Sequence, residues 1–131
     1  MRALDTNILA RYLRDDDPDQ SRRAGRLIQR VVKQREALYL NHAVLCELVW
    51  ILDSVYAHDK EEIIETIEAI LFSEHFELED KTSVESALED YKKSKADFAD
   101  CLIGRRNRAV GCEATLSFDR RLKDVGAFEV L

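Results

Sequence analysis

Five carboxylates in this chain stand where their surroundings give them chemical meaning. Asp5 closes the first expected strand in Leu4-Asp5-Thr6-Asn7, and Asp119 follows the fourth in Thr115-Leu116-Ser117-Phe118-Asp119. Glu47 is the only charged residue between Ala43 and Leu52, and a carboxylate left in so apolar a helix costs several kcal/mol unless it is paired or bound to a cation. Asp97 and Asp100 are spaced i, i+3, which on a helix sets them about 60° apart, so both can point one way; Gly104 continues that face. Each acid also has a plain structural role. Asp5 and Asp119 can cap the helices that follow them, although Thr6, Asn7 and Ser117 can do so instead. Glu47 can lie on a narrow wet stripe with Ala43 and Ser54, and Asp97 can complement a helix amino terminus.

The combination points further than its members. Four clustered carboxylates repel one another and drive some pKa values up, a conflict that a divalent cation removes. Mg²⁺ and Mn²⁺ favour hard oxygen ligands, so a bowl of carboxylates suits them better than zinc. His42, His58 and His75 have no ligand spacing and read as surface or cap residues.

The elements that must position these acids alternate. Arg2 to Asp5 reads as a brief strand, followed by a helix from about Asn7 to Arg14 and the charged turn Asp15-Asp16-Asp17-Pro18. The next helix, Asp19 to Arg35, places Ala24, Leu27, Ile28, Val31 and Val32 on one side. Ala37 to Leu40 is a second strand, and Asn41 caps an apolar helix over Ala43 to Val55. Asp59 and Glu62 form a capping box ahead of the stripe Ile63, Ile67, Ile70 and Leu71. Phe76 to Leu78 is a third strand. Thr82 and Glu85 repeat the capping-box spacing before Val84, Ala87, Leu88 and Tyr91. A helix from Asp97 to Ala109, with Ala99, Leu102 and Ile103 toward the sheet, precedes a strand near Glu113 to Leu116, a short helical turn from Asp119 and a last strand at Phe128 to Val130. Strands alternating with helices call for a mainly parallel sheet covered on both faces, with the ligand crevice beyond the carboxyl ends of its strands.

At 131 residues the chain is one ordinary domain by length. With 46% hydrophobic and 35% charged residues it is globular rather than disordered. It has no run long enough for a membrane span and no signal-peptide pattern at its amino terminus, so a cytoplasmic location is expected. Cys46, Cys101 and Cys112 lie in apolar company without Cys-x-x-Cys spacing, as for buried thiols in a reducing compartment. The net charge of −6 gives no global attraction to a polyanion, so any nucleic acid must be held by a local patch or by bound cations.

In order along the chain, Leu4-Asp5-Thr6-Asn7-Ile8-Leu9, Cys46-Glu47-Leu48, Ala96-Asp97-Phe98-Ala99-Asp100-Cys101-Leu102-Ile103 and Thr115-Leu116-Ser117-Phe118-Asp119 resemble the motifs of a PIN domain, most of all those of VapC-type toxins from toxin-antitoxin pairs. The resemblance covers essentially residues 1–131 as one domain. It implies a three-layer α/β/α sandwich with a mainly parallel central sheet of four to five strands. It also implies an endoribonuclease using Mg²⁺ or Mn²⁺, commonly a homodimer, silenced by an antitoxin. By position Asp5, Glu47, Asp100 and Asp119 match the family's acidic quartet, and Asp97 a frequent extra acid. Thr6 and Ser117 match hydroxyls near the metal, and Asn7 a polar residue of the first turn. Asp5 and Asp100 are the expected direct ligands, with Glu47 and Asp119 completing the shell or orienting water.

Substrate must overcome the acidic average. Arg105, Arg106, Arg108, Arg120, Arg121 and Lys123 form a basic border, to which Arg11 and Arg14 can add; such side chains hold phosphates without reading sequence, and a solvated helix face explains each one equally well. Other readings are a receiver or phosphotransfer-like domain, a haloacid-dehalogenase-like phosphatase, and a non-catalytic protein-binding module. The first lacks the paired acids and late lysine it needs, and the second wants an Asp where Asn7 stands. In the third, the acids are caps and apolar helix grooves bind a partner.

Overall fold

The computed structural model describes residues 1–14 and 16–131. Asp15, the first residue of the expected charged turn, lies outside the described residues. The chain divides into two compact units, Met1–Glu79 and Asp80–Leu131.

In the first unit, strands β1 (Arg2–Ala3), β2 (Leu38–Leu40) and β3 (Phe76–Leu78) form a parallel sheet in the order β1-β2-β3. Arg2 is in register with Leu38, and Leu38 with Phe76. Parallel neighbours need helical crossovers, and the intervening chain supplies four helices: α1 (Thr6–Leu13), α2 (Pro18–Lys33), α3 (His42–Ser54) and α4 (Lys60–Phe72). Their starts are fixed locally. Asp17 accepts from the Gln20 amide with Pro18 at the first helical position, where its missing N–H costs nothing. Asn41 accepts from the Val44 amide, and Asp59 with Glu62 forms the expected capping box. Ile63, Ile64, Ile67 and Ile70 of α4 pack inward with Leu38, Leu40, Leu45, Leu48 and Leu52.

Helix α3 is less buried than its composition predicts. Ala43, Glu47, Trp50 and Ser54 fall at i, i+4, i+7 and i+11 and are all exposed, Trp50 at 65%. Glu47 therefore lies on a wet stripe rather than stranded in the core.

The second unit holds α5 (Lys81–Lys93), α6 (Phe98–Ala109), β4 (Thr115–Ser117), a 3₁₀ turn at Arg120–Leu122 and β5 (Phe128–Val130). Strands β4 and β5 pair in parallel, Thr115 opposite Phe128. The cap of α5 is Asp80 rather than Thr82. Asp80 takes a left-handed φ of 38°, a conformation that Asp tolerates better than most residues, and its carboxylate accepts from the Ser83 amide and hydroxyl. Val84, Ala87, Leu88 and Tyr91 are buried as their spacing predicts.

Helix α6 is rotated from its expected facing. Its buried side is Phe98, Cys101, Leu102 and Gly104, while Ile103 is half exposed. Gly104 is packed against Phe128 and Ala127, and a Cβ there would fall inside the Phe128 ring's van der Waals envelope. The glycine thus serves the seam between α6 and β5, not the acidic face.

Among the described residues five strands form two sheets, of three and two strands, each paired in parallel, where one central sheet of four to five was expected. Each is only two or three residues long, so local pairing defines the ladders and periodicity over such short runs carries no information about which strands join. The cysteines also differ from expectation: Cys101 is buried and Cys46 half-buried, but Cys112 is exposed.

Candidate active site

Within the second unit, three of the expected acids come together. Asp97 is the N-cap residue of α6 by backbone geometry, but its side chain makes no capping bond. It faces Arg121, whose Nη1 and Nη2 each lie 3.4 Å from a carboxylate oxygen of Asp97. The same guanidinium donates from Nη2 to Asp119 at 2.7 Å and from Nε at 3.1 Å. Asp119 lies two residues beyond the end of β4, held by the Ser117 hydroxyl, which accepts its amide proton at 3.0 Å, while its own Oδ1 caps the 3₁₀ turn by accepting from the Arg121 amide.

Asp100 lies one turn along α6 and half-buried. Burial pushes its pKa up, the negative charges of Asp97 and Asp119 push it further, and Arg121 works in the opposite direction. Asp119 is held below its ordinary value by its hydrogen bonds from Arg121, which is itself raised by the same pairing. These opposed shifts follow from one cause: anions share a small volume, and the nearest cation reaches some better than others.

In the first unit, Asp5 is exposed and caps α1, its Oδ1 accepting from the Thr6 amide at 2.6 Å. Thr6 is 2% exposed and its hydroxyl has no hydrogen-bond partner, an uncommon state for a buried polar atom. Asn7 is exposed and lines a cavity of about 380 Å³ between α1 and α2, with Arg11 and Arg23 at its edge. Glu47 is exposed on α3, the helix against which α1 packs.

In the second unit the carboxylates of Asp97, Asp100 and Asp119, with the Ser117 hydroxyl, suit a hard divalent ion, because Asp100 carries a like-charge conflict that a cation would relieve. In the first unit the orphaned Thr6 hydroxyl oxygen is a hard donor of the same kind. Among the described residues no three His, Cys, Asp or Glu side chains are drawn closely enough to enclose an ion. In the second unit the Arg121 guanidinium bridges Asp97 and Asp119, as expected when uncompensated carboxylates take the nearest positive charge.

The basic border mostly has internal partners. Arg105 makes a two-point bond to Asp90 at 2.7 and 2.8 Å, and Arg106 reaches Asp80 at 3.3 Å. Arg108 donates to the Glu113 and Gly126 carbonyls. Arg11 pairs with Asp16, and Arg14 stacks over the Tyr56 ring. Arg120 is exposed and lines a second cavity with Lys92, Lys93, Lys95 and Lys123. The first three of these lysines went unnoticed in the sequence, though the run Lys92-Lys93-Ser94-Lys95 in an acidic chain is a signal that could have found them. The histidines are not all surface residues: the His42 ring lies 2.7 Å from the Glu79 carbonyl oxygen, and both ring nitrogens of His58 are shielded without a partner.

Parallel strands joined by helical crossovers, with acids at strand ends and on α6, define a class of small α/β protein, and the PIN domain family model matches residues 2–127. The chain belongs to the PIN domain family. It is 30% identical over 126 residues to "VapC ribonuclease" of Aquifex aeolicus (strain VF5), an alignment covering 96% of this chain and 93% of that protein. No solved structure matches the chain significantly. Family membership takes the place of the receiver-like and phosphatase-like alternatives.

Proposed function

We propose that this protein is a metal-dependent endoribonuclease, the toxin of a toxin-antitoxin pair, acting as one nuclease domain over residues 1–131. The observation that carries this reading is the cluster of Asp97, Asp100 and Asp119 around a single guanidinium, with Asp100 raised by burial and by its acidic neighbours. Membership of the PIN family and the likeness to a VapC ribonuclease support it.

In this proposal Asp5 and Asp100 hold Mg²⁺ or Mn²⁺ directly, Asp97 adds a ligand, and Glu47 and Asp119 complete the shell or orient water. An ion held by these residues would supply a water of lowered pKa and offset charge developing at the phosphodiester phosphorus. Thr6 and Ser117 position water and the adjoining acids through their hydroxyls, Asn7 steadies the first turn, and Arg120 holds a phosphate of the RNA. Arg121 trades its bonds to Asp97 and Asp119 for substrate oxygens as the acids acquire a different counter-charge. Arg105 and Arg106, committed to Asp90 and Asp80, position helices rather than RNA. The partners proposed are RNA, a cognate antitoxin and a second copy of the chain, in the cytoplasm; no helix among the described residues is long and apolar enough to cross a membrane.

Cleavage of single-stranded RNA with Mg²⁺, Mn²⁺ or EDTA is the test. Asp5→Asn and Asp100→Asn are expected each to reduce the rate on the order of 100-fold or more while the far-ultraviolet circular dichroism stays unchanged. Undiminished cleavage in chelator, or in both variants, would falsify the proposal.

A further inference from the structure

A cavity of about 400 Å³ opens between the turn joining α5 to α6 and the 3₁₀ turn after β4. Lys92, Lys93, Lys95, Arg120, Arg121 and Lys123 line it, against a single carboxylate, Asp124. Six of the chain's 20 Lys and Arg residues therefore face one concavity in a protein whose net charge is −6. Such a local excess of positive charge creates a field that the overall composition does not.

The cavity adjoins the acidic cluster, because Arg121 belongs to both: it lines the cavity and bonds Asp97 and Asp119. We infer that this cavity binds a backbone phosphate of single-stranded RNA flanking the phosphodiester presented to the acids. The inference rests on the ribonuclease proposal and names how that substrate is held. Lysine ammonium groups are compact charges that donate to phosphate oxygens from many directions, whereas reading bases needs stacking rings or fixed donor pairs. No aromatic or aliphatic residue lines the cavity. That absence also disfavours a protein partner, whose tight binding relies on apolar or aromatic anchors seated in pockets. Lys92, held by Glu89 at 3.2 Å, anchors one wall, and Lys93, Lys95 and Lys123 are exposed.

The test compares the wild type with Lys93→Gln/Lys95→Gln/Lys123→Gln, binding a fluorescent unstructured single-stranded RNA in EDTA across a range of salt, followed by cleavage with Mn²⁺. If three phosphate contacts are lost, affinity at about 0.1 M salt falls on the order of tenfold to a hundredfold, and the slope of log K against log salt flattens by about 2. KM rises while kcat changes little. A wild type that cuts RNA alongside a variant of equal affinity and equal slope overturns the inference and leaves the ribonuclease proposal standing. A wild type that neither binds nor cuts RNA overturns both. An acidic peptide that binds the wild type more tightly than RNA does, and loses that affinity in the variant, overturns the inference in favour of an acidic protein partner. Single Lys95→Gln and Lys123→Gln variants, each expected to flatten the slope by about 0.7, repeat the comparison if the triple variant melts early.

Discussion

Asp100 concentrates the chemistry of the second unit in one side chain. Its carboxyl is raised by burial first and then by Asp97 and Asp119, so proton and cation compete for it at higher pH than at an ordinary aspartate. The plain structural role open to Asp97 was to complement its helix amino terminus, yet its side chain makes no capping bond; its carboxylate turns to Arg121 because a full positive charge outweighs the partial charge of a helix end. That outcome was not legible in the sequence, since a separation of 24 positions between Asp97 and Arg121 gives local patterns no purchase. Asp5 was legible as both cap and acid, and it is a cap.

A residue-scale cluster in the first unit sets a pH dependence of its own. Asp16 is lowered by hydrogen bonds from Tyr56 and Arg11, at 2.6 and 2.9 Å. A carboxyl whose folded pKa lies below its unfolded value adds stability above the unfolded pKa, and that stability is lost as pH falls through the folded pKa. The window is therefore below about pH 4. Tyr56→Phe should lower the denaturant midpoint at neutral pH, and the difference from wild type should shrink in acid. A gap that widens on acidification would contradict this.

At the scale of elements, strong local grammar was readable and packing was not. The Asp59 box and the Asn41 cap begin α4 and α3 where the sequence places them, because each cap satisfies amides only two or three residues away. The Thr82 and Glu85 spacing misled, since Asp80 two residues earlier adopts a left-handed conformation and takes the Ser83 amide. Helix α6 was misread about its axis: Ala99, Leu102 and Ile103 looked like its packing face, yet the seam with β5 runs along Gly104. Gly104→Ala should force the Phe128 ring aside and cost about 1–3 kcal/mol, lowering Tm by several degrees, measured by calorimetry. An unchanged Tm would mean that the α6 and β5 seam is looser than described.

For the whole molecule, alternating elements made an α/β fold with parallel strands legible, and family membership agrees with it. The division of five strands into ladders of three and two was not, because strands this short carry no pairing signal. The acidic average gave no global attraction to nucleic acid and called for a local patch, and the cavity lined by Lys92, Lys93, Lys95, Arg120, Arg121 and Lys123 is such a patch of positive charge. If the chain works as a toxin, coexpression with the small reading frame beside its gene should yield a stable complex with relief of toxicity, and the protein alone should sediment as a dimer of 15.1 kDa chains. A neighbour that neither copurifies nor protects would remove the antitoxin from the proposal, and a monomer would remove the second copy.

The ribonuclease proposal rests on this chain's carboxylates being a site for a hard divalent cation. Titration calorimetry with Mn²⁺ tests it most directly, on the wild type and on Asp100→Asn. Saturable uptake by the wild type, weakened on the order of tenfold or more by Asp100→Asn, is predicted. A wild type that takes up no manganese, or an Asp100→Asn variant that binds it unchanged, would contradict the claim.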